Sequence, residues 1–280
     1  MRVILSRKGF DSAYGGYPSP ILPDGRLISL PIPSDEKIKY SDLKFDKNKS
    51  YFDLMKELKP KIKSDKKWQE LTNETECHLD PDIYTNIIQR DKEWKACFGQ
   101  NNASQTHLLN QGVKEGDLFL FFGWFKQTVL NKDKLCFKKS APDLHIIFGY
   151  LQVGKILQVN NETKIPDWMK LHPHAREGYK GKNLTNTIYI ASQNLTWDNE
   201  LPGAGTFKVN KDLVLTKEGL TRSKWLLPDF FKNVKISRHS EKSWQQEGYF
   251  KSVDIGQEFI IEENDSIKNW AKFLIKNNRI

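Results

Sequence analysis

Two stretches of the chain are nearly unbroken apolar runs. Residues 118–125 read LFLFFGWF, and residues 145–157 read HIIFGYLQVGKIL. Short apolar runs bounded by Gly and Asp predict strands buried on both faces. A turn over Val113–Asp117 precedes the first, and a lysine-rich hairpin or loop over Lys126–Pro142 separates the two. Shorter strands are expected at Val3–Leu5, Thr187–Ala191, Thr206–Val209, Leu213–Thr216 and Glu258–Ile261. Helical signals are fewer. Tyr51–Leu58 reads as a helix capped by Ser50, with Asp53 three residues on and Pro60 as the stop. A second helix is expected from Asp80-Pro81 to about Lys95, because Asp suits the N-cap and Pro the first helical position. A short third helix begins at Asn102 or Ser104, runs through Leu108 and Leu109, and is closed by Gly112. A last helix is expected to be capped by Asp265, with Ile267, Trp270, Ala271 and Leu274 as its apolar stripe.

These elements predict an α+β fold: a mixed or antiparallel curved sheet with flanking helices. Residues 34–64 form a Lys-rich helical insert, read as a solvated face or else as a phosphate-tracking surface. No repeat, low-complexity tract or linker divides the sequence, so residues 1–280 are read as a single domain.

Composition changes the picture in one direction. The formal charge is +9 and the isoelectric point about 9.2, which favours an acidic partner. Nucleic acid is the commonest such partner, with DNA favoured, and a free nucleotide is the smaller version. The three cysteines (Cys77, Cys97, Cys136) form no C-x-x-C pair, so neither a disulfide framework nor a zinc ribbon is expected. No leader-like apolar segment and no run near membrane-spanning length is present, so a cytoplasmic protein without membrane contact is expected.

Candidate chemistry lies in four places. The first is the long loop from Leu5 to Pro33, which mixes glycines, prolines and charges and either packs over the end of the sheet or forms an anion site. Arg7 and Lys8 are candidates to hold a phosphate, with Asp11 as general base or charge stabiliser. Gly15-Gly16 lacks the following Lys-Ser/Thr of a phosphate loop. The second is His78-Leu79-Asp80-Pro81-Asp82. In an extended segment His78, Asp80 and Asp82 share a face, as a metal or acid–base cluster would need. Helix capping explains the two acids equally well. No strict metal spacing occurs, and neither a metal nor a cofactor is assigned. The third is His172-Pro173-His174, with Arg176, Lys180 and Lys182 behind it, either a phosphate-contacting loop or plain surface; a metal there would need another carboxylate or His from elsewhere in the chain. The fourth is the pair of long strands, where Trp124 and Tyr150 are either base-stacking groups or core. A G-x-S-x-G elbow is absent.

Two resemblances bear on these candidates. Gly116-Asp117 before a strand, and Gly149–Ile156 in a later one, resemble the pattern of PUA-like small barrels, including the EVE and ASCH groups. That likeness covers about forty residues and implies a barrel with a pocket for a base, often a modified one. A longer likeness rests on Ser6-Arg7-Lys8-Gly9-Phe10-Asp11-Ser12, Gly15-Gly16, Pro18–Ile21, Leu30–Pro33, His78–Asp82, Phe98-Gly99-Gln100, Gly116–Phe125 and His145–Ile156. By these blocks the chain resembles the third of the nucleotide-modification-associated domain families of bacteria and phages. The resemblance implies a role beside DNA base modification, in hypermodification or phage-defence gene clusters, with partner proteins of such a cluster. It transfers no catalytic residue. The expected function is therefore a DNA-associated protein that binds a nucleotide or flipped base and takes part in modifying it or removing a modified one. The alternative is a non-catalytic PUA-like reader of modified bases; a weaker one is a structural partner in a modification complex. The candidate catalytic residues are Asp11, His78 and Asp80. Arg7, Lys8, Ser12, Trp124, Tyr150, His172 and His174 are the candidate substrate-binding ones.

Overall fold

A computed structural model describes residues 1–176, 185–254 and 256–279. Its centre is a large mixed sheet, as an α+β protein requires. β1 (Val3–Arg7) and β2 (Ile32–Pro33) come from the opening stretch, and helix α1 (Tyr51–Leu58) from the lysine-rich segment. β3 (Cys77–His78), β4 (Cys97–Gln100) and helix α2 (Asn102–Asn110) follow. The two long strands are β5 (Leu118–Asn131) and β6 (Leu144–Gln158). β7 (Thr187–Ala191), β8 (Glu258–Ile261) and helix α3 (Asp265–Asn278) complete the frame.

The principal path across the sheet runs β8–β1–β5–β6–β7–β4. β1 lies parallel to β5, with Val3 opposite Leu118 and Arg7 opposite Phe122. Every other neighbour on that path is antiparallel. The long strands pair from Leu118–Gln152 to Phe125–Leu144, with a register shift at Phe121/Phe122. Such irregularities bend a strand and raise its twist. The sheet curls far enough for Gln100 Nε2, on one outer strand, to donate to Glu258 Oε1 on the other at 2.7 Å. The backbone ladders of β4 and β8 do not meet, so the PUA-like reading of a closed barrel gives way to an open curled sheet.

Alternation sorts the side chains between the two faces. Phe98, Phe119, Phe121 and Tyr189 pack on one side, with Phe98 5.0 Å from Phe119 and 5.4 Å from Phe121 between ring centres. On the other, Phe122 meets Trp225 edge-on at 5.1 Å. Each buried ring contributes about 1.5–3 kcal/mol relative to exposure, so these aromatics dominate the core. Both faces are covered over Leu118–Phe125 of β5 and His145–Val153 of β6, as continuous apolar sequence predicts, whereas the far ends of both strands are more exposed.

Other expectations fare unevenly. Ser50 and Asp53 form the reciprocal capping box on α1. The lysine-rich segment is more than a solvated face, because Ile38, Tyr40, Leu43, Tyr51, Leu54, Met55 and Ile62 are buried in a second core with Phe10, Tyr17 and Leu30. The stripe of α3 packs as expected, but its cap is Asn264, whose Oδ1 accepts the N–H groups of Ser266 and Ile267; Asp265 is already helical. The helix expected from Asp80 to Lys95 does not form. Asp82 instead exchanges both backbone hydrogen bonds with Cys97, at 2.9 and 3.0 Å, and its carboxylate accepts from Arg90 and Trp94. The tertiary bridge takes the groups a helix would have used. Thr206–Val209 and Leu213–Thr216 contribute only the end of a short strand, Ala204–Thr206, and single bridges such as Ile146–Val214.

His145 offers a test of this core. It is 4% exposed, and its Nδ1 accepts the indole N–H of Trp225 at 3.0 Å. Burial, followed by the charges of Arg7 and Arg222, lowers its pKa from the ordinary 6.5 to about 3. The unfolded chain binds a proton below about pH 6.5 that the folded chain refuses. This contribution to stability is therefore complete above that pH and falls as the pH drops towards 3. Ring-nitrogen NMR shifts of His145 should stay those of a neutral imidazole at pH 4.5; a titration centred near 6.5 would contradict the buried placement.

Candidate functional site

The site is built where the opening stretch, β2, β3 and β4 converge. β2 pairs with β3, setting Ile32 opposite His78. The chain leaves β3 through Asp80, whose Oδ1 accepts the backbone N–H of Gly99 on β4 at 2.7 Å. β4 pairs with β7, and Asn186, one residue before β7, is fully buried. The turn Pro173–Ala175 brings His174 onto the same spot. A ligand atom of each of His78, Asp80 and His174 then lies within 4.8 Å of the others. The His78 and His174 rings meet edge to face at 5.2 Å.

Each of these side chains is held from behind. Glu36 Oε1 lies 3.3 Å from His78 Nδ1, and Glu36 also pairs with Arg176. Asn186 Oδ1 lies 2.7 Å from His174 Nδ1, and its amide donates to the His174 carbonyl at 2.8 Å. His172 sits behind Asp80, its Nε2 3.4 Å from Oδ1, within ion-pair range but outside hydrogen-bond geometry.

Burial decides the charges. It lowers His78 to about 4, helped by the positive charges of His172 and Lys8 and opposed by Asp80. It lowers His174 to about 3, with His78 adding to the effect. Burial by itself would raise Asp80, but His172 and Lys8 outweigh it and hold the carboxyl well below the usual range. At neutral pH the trio is two neutral imidazoles and one carboxylate.

The trio lines a cleft of about 470 Å³ that also carries Arg7, Asp11, Tyr14, Asn101 and Gln257. Arg7 donates to the carbonyls of Asp254 and Gly256, and burial lowers its pKa from 12.5. Lys8 also borders the cleft, but its ammonium is 3.1 Å from Glu258 and 4.4 Å from the Phe98 ring centre, already neutralised. Asp11 Oδ1 accepts the N–H groups of Ala13 and Tyr14, both at 2.7 Å, shaping the turn at the mouth.

The remaining candidates lie elsewhere. Ser12 is exposed on the outside of that turn and takes no part in the lining. Tyr150 is fully buried, stacked on Phe207 at 5.5 Å, and Trp124 lies under the Arg222 guanidinium at 4.1 Å, hydrogen-bonded to Asp143. Lys180 and Lys182 fall outside the described residues. The sequence reading missed Glu36 and Asn186, which carry no local signal because their roles depend on partners far away in the chain. Tyr14 and Gln100 did lie inside or beside blocks already singled out.

Fold and site together define an α+β protein with a polar, partly basic cleft over a buried His–Asp–His cluster. The chain belongs to the family of nucleotide modification associated domain 3, matched over residues 2–262. A search of curated proteins and of solved structures finds no match.

Gly99 makes the cluster compact. A Cβ there would collide with the His174 ring and come within 2.9 Å of His172 Cε1. Gly99→Ala should therefore displace His174 and destabilise the fold by about 1–3 kcal/mol, as overpacking does. Chemical denaturation measures it, and an unchanged midpoint would mean the rings do not rest on β4.

Proposed function

We propose that the cleft takes a nucleotide, or a base flipped out of DNA, and that the protein takes part in modifying that base or in removing a modified one. The observation that carries this reading is the coincidence of one cleft with the titratable cluster. Its volume falls within the roughly 300–1,000 Å³ typical of small-ligand sites. Its rim bears Arg7, able to meet a phosphate, and Tyr14, able to stack a base. Its floor bears an ionised carboxylate beside two neutral imidazoles, groups that can accept hydrogen bonds from a base and orient it. Chemistry on a base within a duplex requires taking it out of the stack, and a cleft of this volume has room for such a base. Membership of a nucleotide-modification family supports the same direction.

The alternative, a reader that stacks a base on Trp124 and Tyr150, draws less support. Tyr150 already stacks on Phe207, and Trp124 already lies under Arg222. Lys8, neutralised by Glu258, contributes less to phosphate affinity than Arg7 in this reading.

Incubating the protein with plain and modified phage DNA, digesting to nucleosides and weighing them tests the chemical claim. A nucleoside of changed mass, or loss of a modified base, is expected. Binding provides a second check. Affinity for a short single-stranded oligonucleotide should fall steeply between 50 and 200 mM salt, in the manner of phosphate contacts. Arg7→Ala should weaken it about tenfold or more, the loss of one charge-assisted contact of about 1.5–3 kcal/mol. Asp11→Asn keeps the turn's oxygen acceptor, so the melt should move by less than about 0.5 kcal/mol while turnover drops. Binding that ignores salt, or none at low salt, removes the nucleic-acid reading.

A further inference from the structure

We propose that His78, Asp80 and His174 together bind one divalent first-row transition-metal cation at the floor of the cleft. The assignment stands on the geometry of the cluster; it rests on the nucleotide reading only for what the cation would act upon.

Three observations carry it. The donor set is two imidazoles and one carboxylate, with one atom of each within 4.8 Å of the others. A cation at about 2.0–2.2 Å from each in tetrahedral geometry would set these atoms about 3.4 Å apart, so binding closes the cluster by up to about 1.4 Å.

The outer contacts are those a metal-binding histidine needs. Glu36 on His78 Nδ1 and Asn186 on His174 Nδ1 fix the orientation of each ring. Metal-ligating histidines are commonly held this way, by a carboxylate or carbonyl on the second ring nitrogen. Both holders are buried, Glu36 at 5% exposure and Asn186 at 0%, so the orientation is built into the fold.

Asp80 is the third observation. Its side chain is 3% exposed. Oδ1 accepts from Gly99, while Oδ2 accepts no hydrogen bond among the described residues. The nearby ammonium of Lys8 is committed to Glu258 at 3.1 Å. His172 already faces Oδ1 at 3.4 Å, which leaves Oδ2 as the oxygen open to a metal ion.

The ligand types point to a class of metal. Imidazole suits zinc, iron and nickel, whereas magnesium and calcium prefer all-oxygen shells. Three protein ligands leave further positions on the cation turned to the cleft. There it would polarise a phosphate or base oxygen, or lower the pKa of a bound water.

The test is direct metal binding by the whole protein. After dialysis against chelator, the protein is reloaded separately with Zn²⁺, Mn²⁺, Fe²⁺ under anaerobic conditions, Mg²⁺ and Ca²⁺. Metal content after desalting and the shift in melting temperature are then measured. One equivalent of at least one transition ion, with a raised melting temperature, is expected; Mg²⁺ and Ca²⁺ should leave both unchanged. Asp80→Asn keeps an oxygen for the Gly99 N–H, and His78→Gln keeps polarity. Each should weaken metal binding at least a hundredfold. Glu36→Gln should weaken it about 10–100-fold with the stoichiometry preserved. No uptake of any ion by the parent protein would overturn the proposal, and so would equal uptake by parent, Asp80→Asn and His78→Gln. If a variant fails to fold, the parent's uptake and the Glu36→Gln comparison still decide. Oligonucleotide binding is measured on the same preparations. Metal uptake without oligonucleotide binding upholds this site and overturns only the nucleotide reading. Oligonucleotide binding without metal uptake does the reverse.

Discussion

The structure depends on one buried polar clamp. Glu258, at the start of β8, accepts from Lys8 at 3.1 Å, from Ser6 at 3.2 Å and from Gln100 at 2.7 Å. Ser6 belongs to β1 and Gln100 to β4, so the clamp ties both ends of the strand path to each other. Burying a charge pair is a weak source of net stability, because desolvation offsets the attraction. Removing one member is a different matter, costing about 3–5 kcal/mol through the charge left behind. The clamp therefore acts less as glue than as a constraint on how far the sheet curls. Hydrophobic burial drives the collapse, and the clamp selects one curvature from among those a ring-filled interior would tolerate.

That curvature creates the cleft. Lys8 and Gln100 belong to both clamp and lining, so the base of the cleft is as rigid as the sheet itself. The opposite wall comes from the second core, which carries β2, β3 and the turn holding Glu36. His174 arrives from a third direction, on the turn that follows β6, and leans on Gly99 where no side chain stands in its way. The cluster thus lies at a junction of separately packed parts. Its residues are held by backbone hydrogen bonds and buried partners rather than by a flexible loop, which suits a preorganised site.

Electrostatics follow from this placement. Two histidines surrounded by protein stay neutral because an imidazolium there would lack water, and one carboxylate stays ionised because cations face it. Arg7 remains a cation near the rim despite its burial, held by two carbonyls. The basic character that composition announces is spread over the surface. The cleft itself carries a balanced set of charges rather than a simple positive funnel, since Lys8 is answered by Glu258 and Arg7 stands opposite Asp11.

The sequence by itself determined the local elements. Unbroken apolar runs make β5 and β6 because a strand covered on both faces has no polar positions to spare. Ser50 with Asp53 makes the start of α1, and the stripe from Ile267 to Leu274 makes α3, because both signals act within a few residues. The period-two spacing of His78 and Asp80 marked a site for the same reason, and the blocks on which the family likeness rests lay open in the chain. Tertiary structure decided what local rules leave undetermined. Asp80 and Asp82 have the chemistry of a helix start, yet their groups went to Gly99 and Cys97, because a neighbouring strand offered partners that a solitary helix could not match. Tyr150 became core and Tyr14 cleft, although both are tyrosines beside glycines. His174 lies far along the chain from His78 and Asp80. The pairing of β4 with β7, together with the hydrogen bond from Gly99 of β4 to Asp80, brings such distant residues within reach.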